Sequence, residues 1–295
     1  MKINNEAKAA LGLLAPAMTL IVLFFVIPVI GALVLSVTDF DIYSVGDAAN
    51  TRFVGMRNYT TLANNPLFWR ALTNTLYFSF VGGPLTIVVA LAAALLLNAK
   101  LTRFKALFRT IYFAPVVTSI VAVAIVWKYV YHARVGLLNR ALDLFGIQGP
   151  DWLGDPRWAM PALILLAIWR GFGYAAVIFL AGLQNIPDEL YEAARIDGAG
   201  PVRQFVHITV PQLGPTFVFV GIVTAIGFLQ VFAEPYVMTP DGGPLNATLT
   251  IVMLMYREGF RWWNMGYAAA VAFILFALVI GATLVSRLVR RPAAR

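Results

Sequence analysis

Residues 11–37 read LGLLAPAMTLIVLFFVIPVIGALVLSV, 27 positions without one charged side chain. A helix of that length reaches ~40 Å at about 1.5 Å per residue, more than the ~30 Å hydrocarbon core of a bilayer. It also far exceeds the roughly 7–15 apolar residues of a signal peptide, so this run is expected to stay as an anchor. Five more stretches qualify: Ala71–Asn98, Thr110–Trp127, Trp158–Leu183, Gln212–Ala233 and Met265–Ser286, of which only Trp158–Leu183 holds a charge, Arg170. Lipid offers no partner to an open backbone, so each is expected to be a helix. Continuous apolar runs are not the short alternating segments of a barrel. The expected fold class is an all-α membrane protein with six transmembrane helices, organised as one transmembrane domain over residues 1–295.

The composition agrees. Of 295 residues, 60% are hydrophobic and 12% charged, against about a quarter charged in soluble domains. With no cysteine and two histidines 75 positions apart, neither thiolate chemistry nor a metal cluster is expected. No lysine follows a glycine, so the phosphate-cradling Walker A loop is absent. Any ATP and magnesium must be bound by another chain, and no cofactor or enzymatic activity is expected here.

The net charge of +8 follows membrane topology. Lys100–Arg109 and Arg287–Arg295 each carry four bases and no acid. Short basic loops stay in the cytoplasm, so six spans leave both termini inside. The inside segments then hold 12 bases and 5 acids, the outside segments 9 of each. That distribution excludes nucleic acid as the partner. Trp69, Trp127, Trp158, Trp262 and Trp263 fall at span ends, where indole rings favour the interface. Prolines in or near five of the six spans predict local kinks.

One inside segment differs. Residues 184–211 open with Asn185-Ile186-Pro187-Asp188-Glu189, a helix start with Asn185 or its neighbour as cap, proline in the first turn and two acids. Gly198 and then Gly200-Pro201 stop it. The spacing predicts a helix over Pro187–Asp197, eleven residues and about 16 Å long, too short to span. Leu190, Ala193 and Ala194 make a narrow small-residue stripe, and Glu192 lies one turn from Arg195. Asp197 opposes the dipole in the last turn, which a cation on a partner would explain; a solvated surface helix is the plain alternative.

Glu192-Ala193-Ala194, three residues, Gly198, nine residues, then Ile208-Thr209-Val210-Pro211 resembles the EAA loop of ABC-importer permeases, with Val210 where leucine is usual. The resemblance implies the type I importer permease fold, with a coupling helix in the EAA loop, 187–211. Glu192, Ala193, Ala194, Asp197 and Gly198 would dock in a cleft of the cytoplasmic ATPase dimer, Glu192 meeting a basic residue there.

Four further pieces are similar to the carbohydrate permeases: Phe53–Tyr59; Gly136–Asn139 with Trp152-Leu153; Leu180–Gln184 leading into Pro187–Tyr191; and Met238-Thr239 with Gly242-Gly243-Pro244, Tyr256 and Phe260. The last looks like the first permease of maltose-type and glycerol-phosphate importers. The implied partners are a second, homologous permease, the ATPase dimer carrying ATP, an extracytoplasmic sugar-binding protein and membrane lipid. The implied location is the bacterial inner membrane.

No Asp, Glu, Lys or His lies inside the six spans as delimited, which favours external work over an ion-coupled secondary sugar carrier. Arg170 either faces an aqueous cavity, donating to sugar hydroxyls, or packs against backbone carbonyls. Tyr174, one turn on, either stacks on a sugar or packs. The resemblance places Gly171 and Tyr174 at sugar-touching positions. Thr224 and Phe228 share a face four residues apart. Gln230 needs a hydrogen-bond partner, a neighbouring helix being preferred over substrate. A single base in this path would admit an anionic cargo, and a non-sugar solute is the remaining alternative within the ABC reading.

Overall fold

The computed structural model describes residues 5–99 and 104–288. Lys100, Arg103 and the basic tail beyond Leu288 lie outside them. The described residues are nearly all helical. The apolar helices long enough to cross a membrane are α1 (Ala10–Ser36), α2 (Pro66–Asn98), α5 (Pro156–Gln184), the stretch Gly214–Met238 and the final helix from Met265. The last continues as α8, Met265–Leu288.

The expected third span is broken. α3 (Lys105–Val117) and α4 (Ile120–Val130) meet at a 100° bend. Thr118 and Ser119 leave helical geometry, with ψ of 149° and 125°. The Thr118 hydroxyl donates to the carbonyl of Pro115, 2.8 Å away, and so satisfies an acceptor that the break frees. Hydropathy summed over Thr110–Trp127 could not reveal this, because both halves are apolar and a sum carries no direction.

Three other prolines leave a milder mark. Turns of π-helix at Val22–Val26, Phe78–Gly82 and Phe205–Thr209 each end two residues before Pro28, Pro84 or Pro211. A proline lacks the N–H that would bond residue i−4 and its ring crowds that carbonyl. Widening the preceding turn relieves the crowding without ending the helix.

The chain divides into two compact units. The first, Met1–Pro66 with Leu254–Ile274, is organised by Asn58, whose amide donates to the carbonyls of Ser36 and Thr38 at 2.9 and 2.8 Å. Tyr59 Oη donates to Ser36 Oγ at 2.9 Å, and Gly55 takes φ +57°. The Phe53–Tyr59 motif therefore clasps the end of α1, whose own apolar window has none of its residues buried.

The second unit, Leu67–Met253 with Leu275–Arg295, is built around α5, which packs on α2 and α3. Gly173 lets the α3 backbone come so close that a Cβ there would strike the Tyr112 carbonyl. The core is Leu163, Leu166, Phe179 and Leu180 of α5 with Phe78, Ala90 and Ala94 of α2. The segment joining α4 to α5 is fixed by one side chain. Asn139 donates to the carbonyls of Ala133 and Pro150 at 2.8 and 3.1 Å and accepts from Trp152 Nε1 at 2.6 Å. The two pieces noted in the sequence, Gly136–Asn139 and Trp152-Leu153, are thus joined by a hydrogen bond.

Candidate functional site: a polar-edged cavity and an exposed short helix

α5 carries Arg170 at its middle, fifteenth of 29 residues. A charge there costs about 2.5–3.5 kcal/mol if it meets lipid. Instead it lines a cavity of about 480 Å³ in the second unit. Gly171 and Tyr174 of α5 share that wall. The opposite wall comes from α7 (Gly214–Leu229), which contributes Thr224 and Phe228, followed by Gln230. All six residues expected on the pathway thus border one space.

The wall is mostly apolar. Phe228 is buried and its ring lies 5.1 Å from Phe78, centroid to centroid. Gly82 in the π turn of α2 makes room for it, since a Cβ there would overlap the Phe228 ring. Val116 and Ile120, flanking the break between α3 and α4, also face the cavity. Tyr174 is 44% exposed, so it does not serve as core packing. Arg170 Nε is buried and has no hydrogen-bond partner.

Two expectations about the fifth span change. The helix ends at Leu229, Gln230 forms its C-cap at φ −99°, ψ 16°, and the chain turns at Phe232 before a short helix Ala233–Met238. Gln230 therefore does not pack inside a helix; it is exposed at the cavity edge. The apolar stretch also runs on to Met238, bringing Glu234 into the cavity wall. A carboxylate thus belongs to a span expected to have no acid. It was missed because it lies one residue beyond Ala233, where the hydropathy boundary fell.

The second feature is α6, Asp188–Ile196. It is nine residues, not eleven. Pro187 and Asp197 are its flanking caps, and Asn185 instead ends α5. No side chain caps its N-terminus, as φ near −60° already suits proline at the entry. Its other end matches expectation. Gly198 takes φ +76°; its N–H reaches Arg195 O at 3.1 Å, and Ala199 N–H reaches Ala194 O at 2.8 Å. This is a Schellman closure, which favours glycine.

Nothing in α6 is buried. Glu192, Ala193, Asp197 and Gly198 are exposed and Ala194 is half-buried. Glu192 and Arg195 approach to 3.9 Å with both side chains largely in solvent, a pair worth little. Tyr191 Oη bonds Thr209 Oγ1 at 2.9 Å and fixes α6 to the chain that leads into α7. The apolar side chains of Ile196 and Val202 are 87% and 77% exposed.

Apolar helices gathered around a polar-edged cavity, with a short helix held out from them, define a membrane permease. The family model described as "Binding-protein-dependent transport system inner membrane component" matches residues 82–293. The chain belongs to that family and is a multi-pass inner-membrane permease subunit of an ABC importer. It is 37% identical to the arabinooligosaccharides transport system permease protein of Bacillus subtilis, over 92% of this chain and 85% of that one. It is 40% identical to the lactose transport system permease protein of Rhizobium radiobacter, over 90% and 88%. With the trehalose/maltose transport system permease protein of Thermococcus litoralis it shares 34%, over 95% and 93%. A chain of a bacterial alginate ABC transporter has the same fold, with TM-score 0.80, 23% identity, and 97% and 95% of the two chains covered.

Proposed function

We propose that this chain carries a carbohydrate through the inner membrane, using the cavity between α5 and α7 as part of the path. The observation that carries the reading is that cavity: aromatic and aliphatic walls with a guanidinium, a phenol, a threonine hydroxyl and a carboxamide at its edge. Sugars present apolar ring faces ringed by hydroxyls, so aromatic contact plus a few donors and acceptors suits them. The sugar-transport names of the three relatives agree.

In this reading residues 1–295 form one permease domain with both termini cytoplasmic, which the basic loops support. α6 lies on the cytoplasmic side and couples to a separate ATPase dimer, with Glu192, Ala193, Ala194, Asp197 and Gly198 at the contact. A second, homologous permease completes the path, and a sugar-binding protein delivers cargo from outside. ATP and magnesium act on the ATPase, and their work reaches the cavity through α6 and Tyr191.

The test is uptake by the assembled importer in proteoliposomes. Arg170→Ala and Tyr174→Ala should each lower ATP-dependent uptake of the delivered sugar while the complex still co-purifies. Unchanged uptake kinetics in both variants would remove this cavity from the path. Transport by this chain without an ATPase, driven by an ion gradient, would overturn the ABC coupling.

A further inference from the structure

The cavity holds one feature that the path residues leave unused, namely Glu234. It lines the same space as Arg170. Among the described residues no ion pair joins them. Arg170 also keeps a buried Nε–H with no acceptor. An opposed donor and acceptor, unspent on each other, therefore share one apolar-walled cavity.

We infer that Glu234 is a specificity-determining residue, which with Arg170 makes the path charge-balanced and selects uncharged carbohydrate over anionic sugars. This rests on the carbohydrate reading above. A guanidinium only donates hydrogen bonds and a carboxylate only accepts them. A sugar hydroxyl does both, so neighbouring hydroxyls satisfy the two groups together and bring no net charge. A lone Arg170 in apolar walls would instead favour an anion, because charges there are weakly screened. Glu234 cancels that preference and repels a phosphate, sulfonate or uronate. The anionic cargo that a single base would admit is thereby disfavoured.

The experiment uses the complete importer in proteoliposomes. The probes are radiolabelled neutral arabinotriose, lactose and trehalose, and anionic glycerol 3-phosphate and digalacturonate. Variants are Glu234→Gln, Glu234→Asp, Arg170→Gln and the double Arg170→Gln/Glu234→Gln, each checked by co-purification with its partners. The expected result is transport of a neutral probe and at least a tenfold loss in Glu234→Gln. Glu234→Asp should recover part of that loss, and the double variant should lose less than the product of the two single losses, the mark of coupled groups. Any variant that fails to co-purify is replaced in the cycle by its Ser counterpart, which also removes the charge. Neutral transport unchanged by Glu234→Gln, or strictly multiplicative losses, overturns this inference and leaves the carbohydrate reading standing. Preferred transport of an anionic probe by the unmodified chain also overturns it alone. Transport of no carbohydrate of either charge overturns both.

Discussion

Gly173→Ala should loosen the second unit at the place where α5 and α3 touch. The added Cβ would fall on the backbone carbonyl of Tyr112, with Phe113 N 3.3 Å away. A carbon beside a carbonyl oxygen settles at about 3.3–3.6 Å, so α3 must withdraw by roughly 1–2 Å. The obstacle is backbone, and no rotamer change can relieve it. Overpacking of this kind costs about 1–3 kcal/mol, and the lack of a flexible neighbour puts Gly173→Ala toward the upper end. At about 2–4 °C per kcal/mol for chains of 150–250 residues, the midpoint of thermal unfolding should drop by some ~5–10 °C.

Gly171, two residues earlier on α5, supplies the contrast. A Cβ there meets Thr86 Cγ2 at 3.5 Å, an ordinary contact, so Gly171→Ala should leave the midpoint within about 2 °C. The assay is heating of the detergent-purified complex followed by size-exclusion chromatography of what remains monodisperse. Equal midpoints for Gly173→Ala and the unmodified chain would refute the close approach of α3 and α5. Equal losses at 171 and 173 would refute the reasoning from direction.

Trp152→Phe keeps most of the ring contact with Tyr131 and Trp158 but leaves the buried Asn139 carbonyl without its donor. A loss of about 1–3 kcal/mol is expected, read as faster proteolysis of the 131–155 segment. Gly198→Ala forces a side chain to φ +76° at a cost of about 1–2 kcal/mol; it should lower uptake more than insertion, measured by transport per assembled complex. Glu192→Lys should abolish uptake while membrane insertion stays normal, and transport at the original rate would show that this glutamate has no part in docking. Burial holds the Glu258 carboxyl above the ordinary carboxylate range, against the opposing hydrogen bond from Asn264. The folded chain then binds more protons than the unfolded one above pH 4.5, so stability falls as pH rises through the raised value. Thermal unfolding followed as pH is raised from 4.5 should show that slope, and Glu258→Gln should flatten it.

Much was legible in the sequence because it is local. A run such as Leu11–Val37 states its own length and lack of charge, and lipid then permits only a helix. Gly198 ends α6 because the two backbone hydrogen bonds of its closure need a residue tolerant of positive φ there. Five of the six expected path residues were legible as polar or aromatic side chains within apolar runs, and Gly171 only through the family resemblance.

Direction and proximity were decided elsewhere. The same hydropathy is compatible with a straight third span and with two halves bent at Thr118-Ser119, because hydropathy adds residues without regard to where each helix points. Asn185 suits a helix start by type, yet it ends α5, since that helix continues one residue past the apolar run Trp158–Leu183, to Gln184. Glu234 sits beyond the boundary of the apolar run read from the sequence, and it reaches the cavity wall because the stretch continues past Phe232 to Met238. The short helix Ala233–Met238 packs on α4, a segment distant in sequence. A residue's neighbours along the chain determine what it can become, whereas its neighbours in space determine which charges it must face.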